Sequence, residues 1–298
     1  MARPKNLQPL PGSLARLVPP PAEPVDARGD WAVVEQELGV RLPEDYKALV
    51  ERYGWGEFCD FVYLHTPFGN SPYNGLKWQS GSLAEPLRWD GRKRYPYPLH
   101  PAPGGALIWG TTMDADRLCW LTAGDPEHWP VVMWSRDGEY ETFPMGAAEF
   151  IEGWTGGHVS SRHLADMEPD LAPWFNTFRP RNDRCIRLSE GPLPHAERLR
   201  MLRSALAPTA DRGTWRTEDG QSGQDHFATT DTDWQLTYDM ANPHQIRISY
   251  PPHDHGTVHR RLTAAIRLMA CNILAITTAA GTPLPTWDTT TDEDDEPQ

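Results

Sequence analysis

The densest group of metal-type ligands in the chain is His253-Asp254-His255, with His259 four residues on and His244 upstream. His255 and His259 would share one face of a helix, as two ligands of one ion do, and the chemistry such a group could support is metal-dependent hydrolysis. No glutamate stands between them to act as base, so the HExxH pattern is absent. The plainer reading is a proline-rich turn opening a helix, with His255 and His259 exposed. Ser80 and Ser82, and Ser160 and Ser161 beside His163, offer hydroxyls, but neither run sits in the strand–turn–helix elbow of a serine hydrolase. Gly104-Gly105 and Gly156-Gly157 lack the lysine and spacing of a phosphate loop. The four cysteines, Cys59, Cys119, Cys185 and Cys271, form no CxxC pair, and three of them read as small apolar residues in a reducing compartment. The sequence therefore names no catalytic residue, no metal and no cofactor, and the reading is of a protein that is not an enzyme.

Binding is better supported than catalysis. The formal charge is -13 over 298 residues, which argues against nucleic acid or an anionic membrane as partner and leaves a basic protein open. Glu57, Asp60, Asp114 and Asp116 fall near expected strand ends. Asp125-Pro126-Glu127-His128-Trp129 combines carboxylates with an indole. Glu57, Asp60, Asp114, Asp116, Asp125, Glu127 and Trp129 are thus the candidate partner-contact set, an acidic face that would steer a basic protein. The plainer readings are solvated carboxylates and a type I turn started by Asp125-Pro126. The two are compatible, because turns on rigid strands are common binding positions.

Several elements must hold these residues in place. Residues 1–29 are proline-rich and expected to be flexible, without the apolar run of a secretion signal. The apolar stretch 264–280 is short for a membrane span and broken by Arg267 and Asn272, so a cytoplasmic protein is expected. Asp30 can cap a helix whose Trp31, Val34 and Leu38 face a core, and Gly39 can end it. Pro43 suits the first position of a second helix, with Tyr46, Leu49, Val50 and Tyr53 inward and Gly54 as its stop. A strand over 58–64 follows, then a short helix over 76–87 weakened by Gly81 and Pro86. Strands are expected over 106–110, 117–121, 130–134 and 140–143, the last across the Asp137-Gly138 hairpin signal. A helix over 145–154 closes this half, and 158–173 reads as a linker with a helical turn at 164–167. The second half predicts a helix over 196–206 and strands over 213–216, 225–229, 234–238 and 245–250. A long helix over 257–278 comes next, before a disordered acidic tail at 285–298. The fold class is α+β: a mostly antiparallel meander flanked by helices over 30–157, and a second, smaller α+β domain over 174–284.

The order of pieces in the first half resembles the SUKH superfamily, the family of the yeast Smi/Knr-type cell-wall assembly regulator. The matching pieces are Trp31 with Glu35, Leu38-Gly39, Leu42-Pro43 with Asp45-Tyr46, and Tyr53-Gly54-Trp55-Gly56 with the strand after it. Cys119-Trp120 before Gly124-Asp125-Pro126, then Trp129-Pro130-Val131-Val132, resembles the middle strands, and Phe143, Glu149-Phe150-Ile151 and Trp154 the closing helix. The likeness covers about residues 30–155 and makes Trp31, Leu38, Gly39, Pro43, Tyr46, Tyr53, Gly54, Trp120, Trp129, Phe150 and Trp154 the structural motif. It implies a non-enzymatic, protein-binding role. Bacterial members are typically immunity proteins that neutralise a polymorphic toxin, often a nuclease, so the implied partner is a toxin domain. The alternative the family implies is a regulatory or scaffold protein. Residues 170–298 lie outside the resemblance.

Overall fold

A computed structural model describes residues 12–69, 75–76, 97–220, 222–240 and 244–285. The first eleven residues of the N-terminal segment, most of the helix expected over 76–87, Ser80, Ser82 and residues 286–298 of the expected acidic tail lie outside the described residues. The chain divides into two compact units, Met1–Phe178 and Arg179–Gln298.

The first unit is an antiparallel sheet with helices against one face. Its helices are α1 (Leu14–Leu17), α2 (Trp31–Leu38), α3 (Glu44–Tyr53) and α4 (Ala147–Thr155). Its strands are β1 (Gly56–Phe58), β2 (Val62–Leu64), β3 (Ala106–Thr112), β4 (Arg117–Leu121), β5 (Val131–Trp134), β6 (Tyr140–Phe143) and β7 (Phe175–Thr177). They lie in the order β6-β5-β4-β3-β2-β1-β7, a meander extended by one late strand. Local signals account for the helix ends. The Asp30 carboxylate accepts from Ala32 N at 2.9 Å, and Gly39 takes φ 72° where other residues would be strained. Pro43 flanks α3 from outside, one position earlier than expected, while Glu44 and Asp45 fill its first turn.

Alternation along the central strands splits the sheet into two faces. Leu107, Trp109, Leu118, Trp120, Val131 and Met133 join Tyr46, Leu49, Phe150, Ile151 and Trp154 in the helix-side core. Ala106, Ile108, Cys119, Val132 and Trp134 form a separate cluster on the other face. The motif residue Trp120 is packed between aromatic rings: Trp109 stacks on it with centroids 5.7 Å apart, and Tyr46 meets it edge-on at 4.8 Å.

Three expectations need correction here. The run over 58–64 is a hairpin, because the chain reverses at Cys59-Asp60, both with positive φ, and Phe61 N donates to Phe58 O at 3.0 Å. Residues 12–29 are packed rather than flexible. Leu14 and Val18 are fully buried, Tyr53 Oη donates to Val18 O at 2.7 Å, and Val25 bridges Gly54 so closely that a Cβ there would meet Val25 O at 2.2 Å. The first unit also runs past the expected linker. Residues 164–167 are irregular, with Ala165 O accepting from Trp154 Nε1 at 2.9 Å, and Phe175–Thr177 pairs with β1.

In the second unit β8 (Asn182–Leu188) and α5 (His195–Ala205) precede a meander of β9 (Thr209–Arg216), β10 (Gly223–Thr229), β11 (Gln235–Asp239) and β12 (Gln245–Tyr250). Then come α6 (His255–Leu268), β13 (Ile273–Thr277) and β14 (Pro283–Leu284), in the sheet order β14-β13-β8-β12-β11-β10-β9. The helix expected over 257–278 therefore ends ten residues early, at Leu268. Its continued apolar spacing is instead the β-branched run Ile273–Thr277, which pairs with β8. Phe227, Trp234, Leu236, Tyr238, Ile246 and Ile248 pack against Leu202, Leu262 and Ile266 as this unit's own core.

Candidate functional site

An antiparallel meander sends alternate turns to opposite ends of the sheet, and this divides the acidic residues of the first unit. The β1–β2, β3–β4 and β5–β6 turns share one end. Two hydrogen bonds tie them: Met113 N donates to Phe61 O at 2.9 Å, and Arg136 N donates to Asp116 Oδ1 at 2.9 Å. Glu57, Asp60, Asp114 and Asp116 gather there. Asp125, Glu127 and Trp129 lie in the β4–β5 connection, at the opposite end.

At the first end, β7 supplies partners for β1. Asn176 Nδ2 bridges two carboxylates, donating to Glu57 Oε1 at 3.4 Å and, in a short bond, to Asp60 Oδ1. Trp174 Nε1 donates to the same Asp60 oxygen at 3.2 Å. Burial pushes the Glu57 carboxyl up to about 7, the Asp60 charge adds to the rise, and the Asn176 bond opposes it. Beside this network the β3–β4 turn carries Met113, 59% exposed, and an exposed Asp114. Three non-glycine residues in these turns hold positive φ: Cys59 at 54°, Asp60 at 55° and Ala115 at 67°. Backbone of this kind concentrates at binding sites, where the surrounding structure holds it in place.

Asp116 belongs to the frame of this end rather than its surface. It is 5% exposed, accepts from Thr112 Oγ1 at 3.1 Å, and joins the β3–β4 turn to the β5–β6 turn through Arg136 N.

At the opposite end, Arg41 reaches Asp125 at 2.8 Å and Glu127 at 3.0 Å, and Glu127 Oε2 accepts from Glu44 N at 3.3 Å. Asp125 starts a 3-10 turn over Pro126–His128. These carboxylates therefore fasten the α2–α3 connection. Trp129 is 4% exposed and packs 6.2 Å from Trp120, so its indole is core and not a surface contact.

His255 and His259 stay close enough on α6 for their charges to interact. His255 Nδ1 lies 2.8 Å from Tyr250 Oη, while His244 is buried between Tyr238 Oη at 2.8 Å and Ser189 O at 2.9 Å. His253 is exposed. Among the described residues no three His, Cys, Asp or Glu side chains are placed to hold a metal ion. Ser161 Oγ accepts from His163 N at 3.1 Å, a turn contact. No described helix is long and apolar enough to cross a membrane.

Sequence reasoning overlooked Met113, Trp174 and Asn176. The aromatic pair Trp174-Phe175 after Pro173 was a strand signal, hidden by the Pro/Gly-rich stretch before it. The family model described as SMI1-KNR4 cell-wall (SUKH_6) matches residues 28–151, from just before α2 into α4. No curated protein and no solved structure matches the chain.

Proposed function

We propose, from the premise that residues 28–151 form a SUKH domain, that this unit is a non-enzymatic, protein-binding module of the immunity type, holding a basic toxin domain in the cytoplasm. The observation that carries the reading is the exposed Met113 set beside the Asp60–Asn176–Glu57 network and Asp114. An apolar anchor rimmed by carboxylates, on turns fixed by three strained residues, suits a basic surface with a small hydrophobic recess. Of the sequence-expected contact residues, Glu57, Asp60 and Asp114 remain in this proposed surface. Asp116 frames this surface from within, whereas Asp125 and Glu127 fasten the opposite end of the sheet and Trp129 is core. The chain's charge of -13 favours fast encounter with a cationic partner.

The second reading is a regulatory or scaffold protein. It draws support from the second unit, which has a core of its own outside the matched segment. Pull-down with toxin domains encoded beside this gene separates the two. Capture and protection favour immunity; failure with every neighbouring toxin domain removes its main support.

A further inference from the structure

The second unit buries charge that its own side chains do not balance. On β10, Asp225 is answered by Arg216 Nη2 at 2.6 Å and by His195 Nε2 at 2.7 Å. His195, the first residue of α5, stacks on Tyr238 with centroids 4.8 Å apart, and its Nδ1 is buried with no hydrogen-bond partner. One turn along the same helix face lies Arg198, whose side chain is 8% exposed. Its Nε and Nη1 have no hydrogen-bond acceptor. The carboxylate that comes within ion-pair range, Glu190, stays 3.9 Å away on a side chain 87% exposed to water. Proximity of the Arg198 charge also reaches His244, whose pKa is lowered by burial first and by that guanidinium second. The start of α5 adds the positive end of a helix dipole, and its flanking residue, Pro194, supplies no side-chain cap.

We propose that the first turn of α5 is an oxyanion site, in which the buried guanidinium of Arg198 holds a carboxylate or phosphate group of a ligand, joined by His195 in its doubly protonated form, whose Nδ1–H donates to the same group while Nε2–H donates to Asp225. A buried guanidinium with open donors is costly unless an anion completes its hydrogen bonds, and arginine is the side chain best shaped to hold such a group. Asp225 fixes the His195 ring and leaves Nδ1 for the ligand; it is a positioning residue. Tyr238 and His244 form the wall.

The test is calorimetric titration of the full chain with inorganic phosphate and, separately, with acetate, at constant ionic strength made up with chloride. Saturable binding of phosphate alone assigns a phosphoryl ligand, and of acetate alone a carboxylate. Arg198→Lys keeps the charge but loses the fork of donors, and should weaken binding about tenfold or more. Side-chain NMR of the unaltered protein gives a second readout, in which the His195 and His244 resonances shift along the same titration. No binding beyond chloride, undiminished binding in Arg198→Lys, or binding that leaves both histidines unmoved would overturn the proposal. It concerns the second unit alone, so its failure leaves the reading of the first unit standing.

Discussion

The two units use similar architecture, a seven-stranded antiparallel sheet backed by helices, and treat charge in opposite ways. The first builds its helix-side core from indoles and phenols and leaves its carboxylates at the sheet ends. There one group fastens loops, and in the other Asp60 and Asp114 face water beside Met113 while Glu57 is partly buried and Asp116 is buried. The second carries a buried ionic network through its sheet, from Arg216 to Asp225 to His195, with Tyr238 and His244 alongside. Charges at turn ends can meet a large partner without rebuilding a core. Charges inside a sheet can only fix geometry or meet a small ligand. The placement of carboxylates relative to the sheet, more than their number, therefore separates the proposed docking face from the proposed internal site.

The contrast predicts opposite responses to pH. The Asp225 carboxyl is lowered: burial raises it, but the bonds from His195 and Arg216 outweigh that. A lowered acid contributes stability above its unfolded pKa and loses it as pH falls through its folded value. Glu57 is the reverse. Its folded pKa of about 7 lies above the ordinary carboxylate value, so its contribution is full in acid and is lost as pH rises through 7. Acid should weaken the second unit through Asp225 while relieving the first at Glu57.

Substitutions sharpen this comparison, beginning with the aromatic core. Tyr46 is fully buried and donates to His65 O at 2.7 Å; Tyr46→Ala should cost about 3–5 kcal/mol in denaturant unfolding. Trp31 is only partly buried, so Trp31→Ala should cost less. Asp225→Ala strands Arg216 and His195, and should cost about 3 kcal/mol at pH 7 and less in acid below the ordinary carboxylate range. An equal cost in neutral and acid solution would mean that Asp225 acts through packing. Glu57→Gln should stabilise the chain by about 1–2 kcal/mol at pH 8 and hardly at all near pH 4. It should also slow association with a basic partner, the trade expected of a binding surface. Arg41→Ala should be the mildest, about 0–1 kcal/mol, because both of its ion pairs are solvent-exposed.

Much of the first unit was legible in the sequence. Asp30, Gly39 and Gly54 act locally, through capping and positive φ, and so mark helix ends without tertiary information. Strands β4 and β6 have the expected bounds because turn residues flank them closely, Asp114 to Asp116 and Gly124-Asp125-Pro126 around β4, Asp137-Gly138 and Pro144 around β6. The hairpin at Cys59-Asp60 was not legible, since the turn has no glycine and, although aspartate tolerates positive φ, cysteine rarely adopts it. Strand β8 escaped because Asp183, Arg184 and Arg187 dilute its apolar pattern, and β13 because its isoleucines continued a helical spacing. The acidic site was half legible. Residue type located the carboxylates, but which end of the sheet each occupies depends on strand order, and Asn176 reaches Glu57 across 119 positions of chain.

The most direct measurement is the association rate of the full chain with whichever toxin domain the pull-down captures, for the natural sequence, the double variant Asp60→Lys/Asp114→Lys, and Asp125→Lys. The account predicts that the double variant associates at least about tenfold more slowly at low salt, while Asp125→Lys stays near the natural rate. Unchanged association in the double variant, with the loss appearing at Asp125 instead, would place the docking face at the opposite end of the sheet and contradict it.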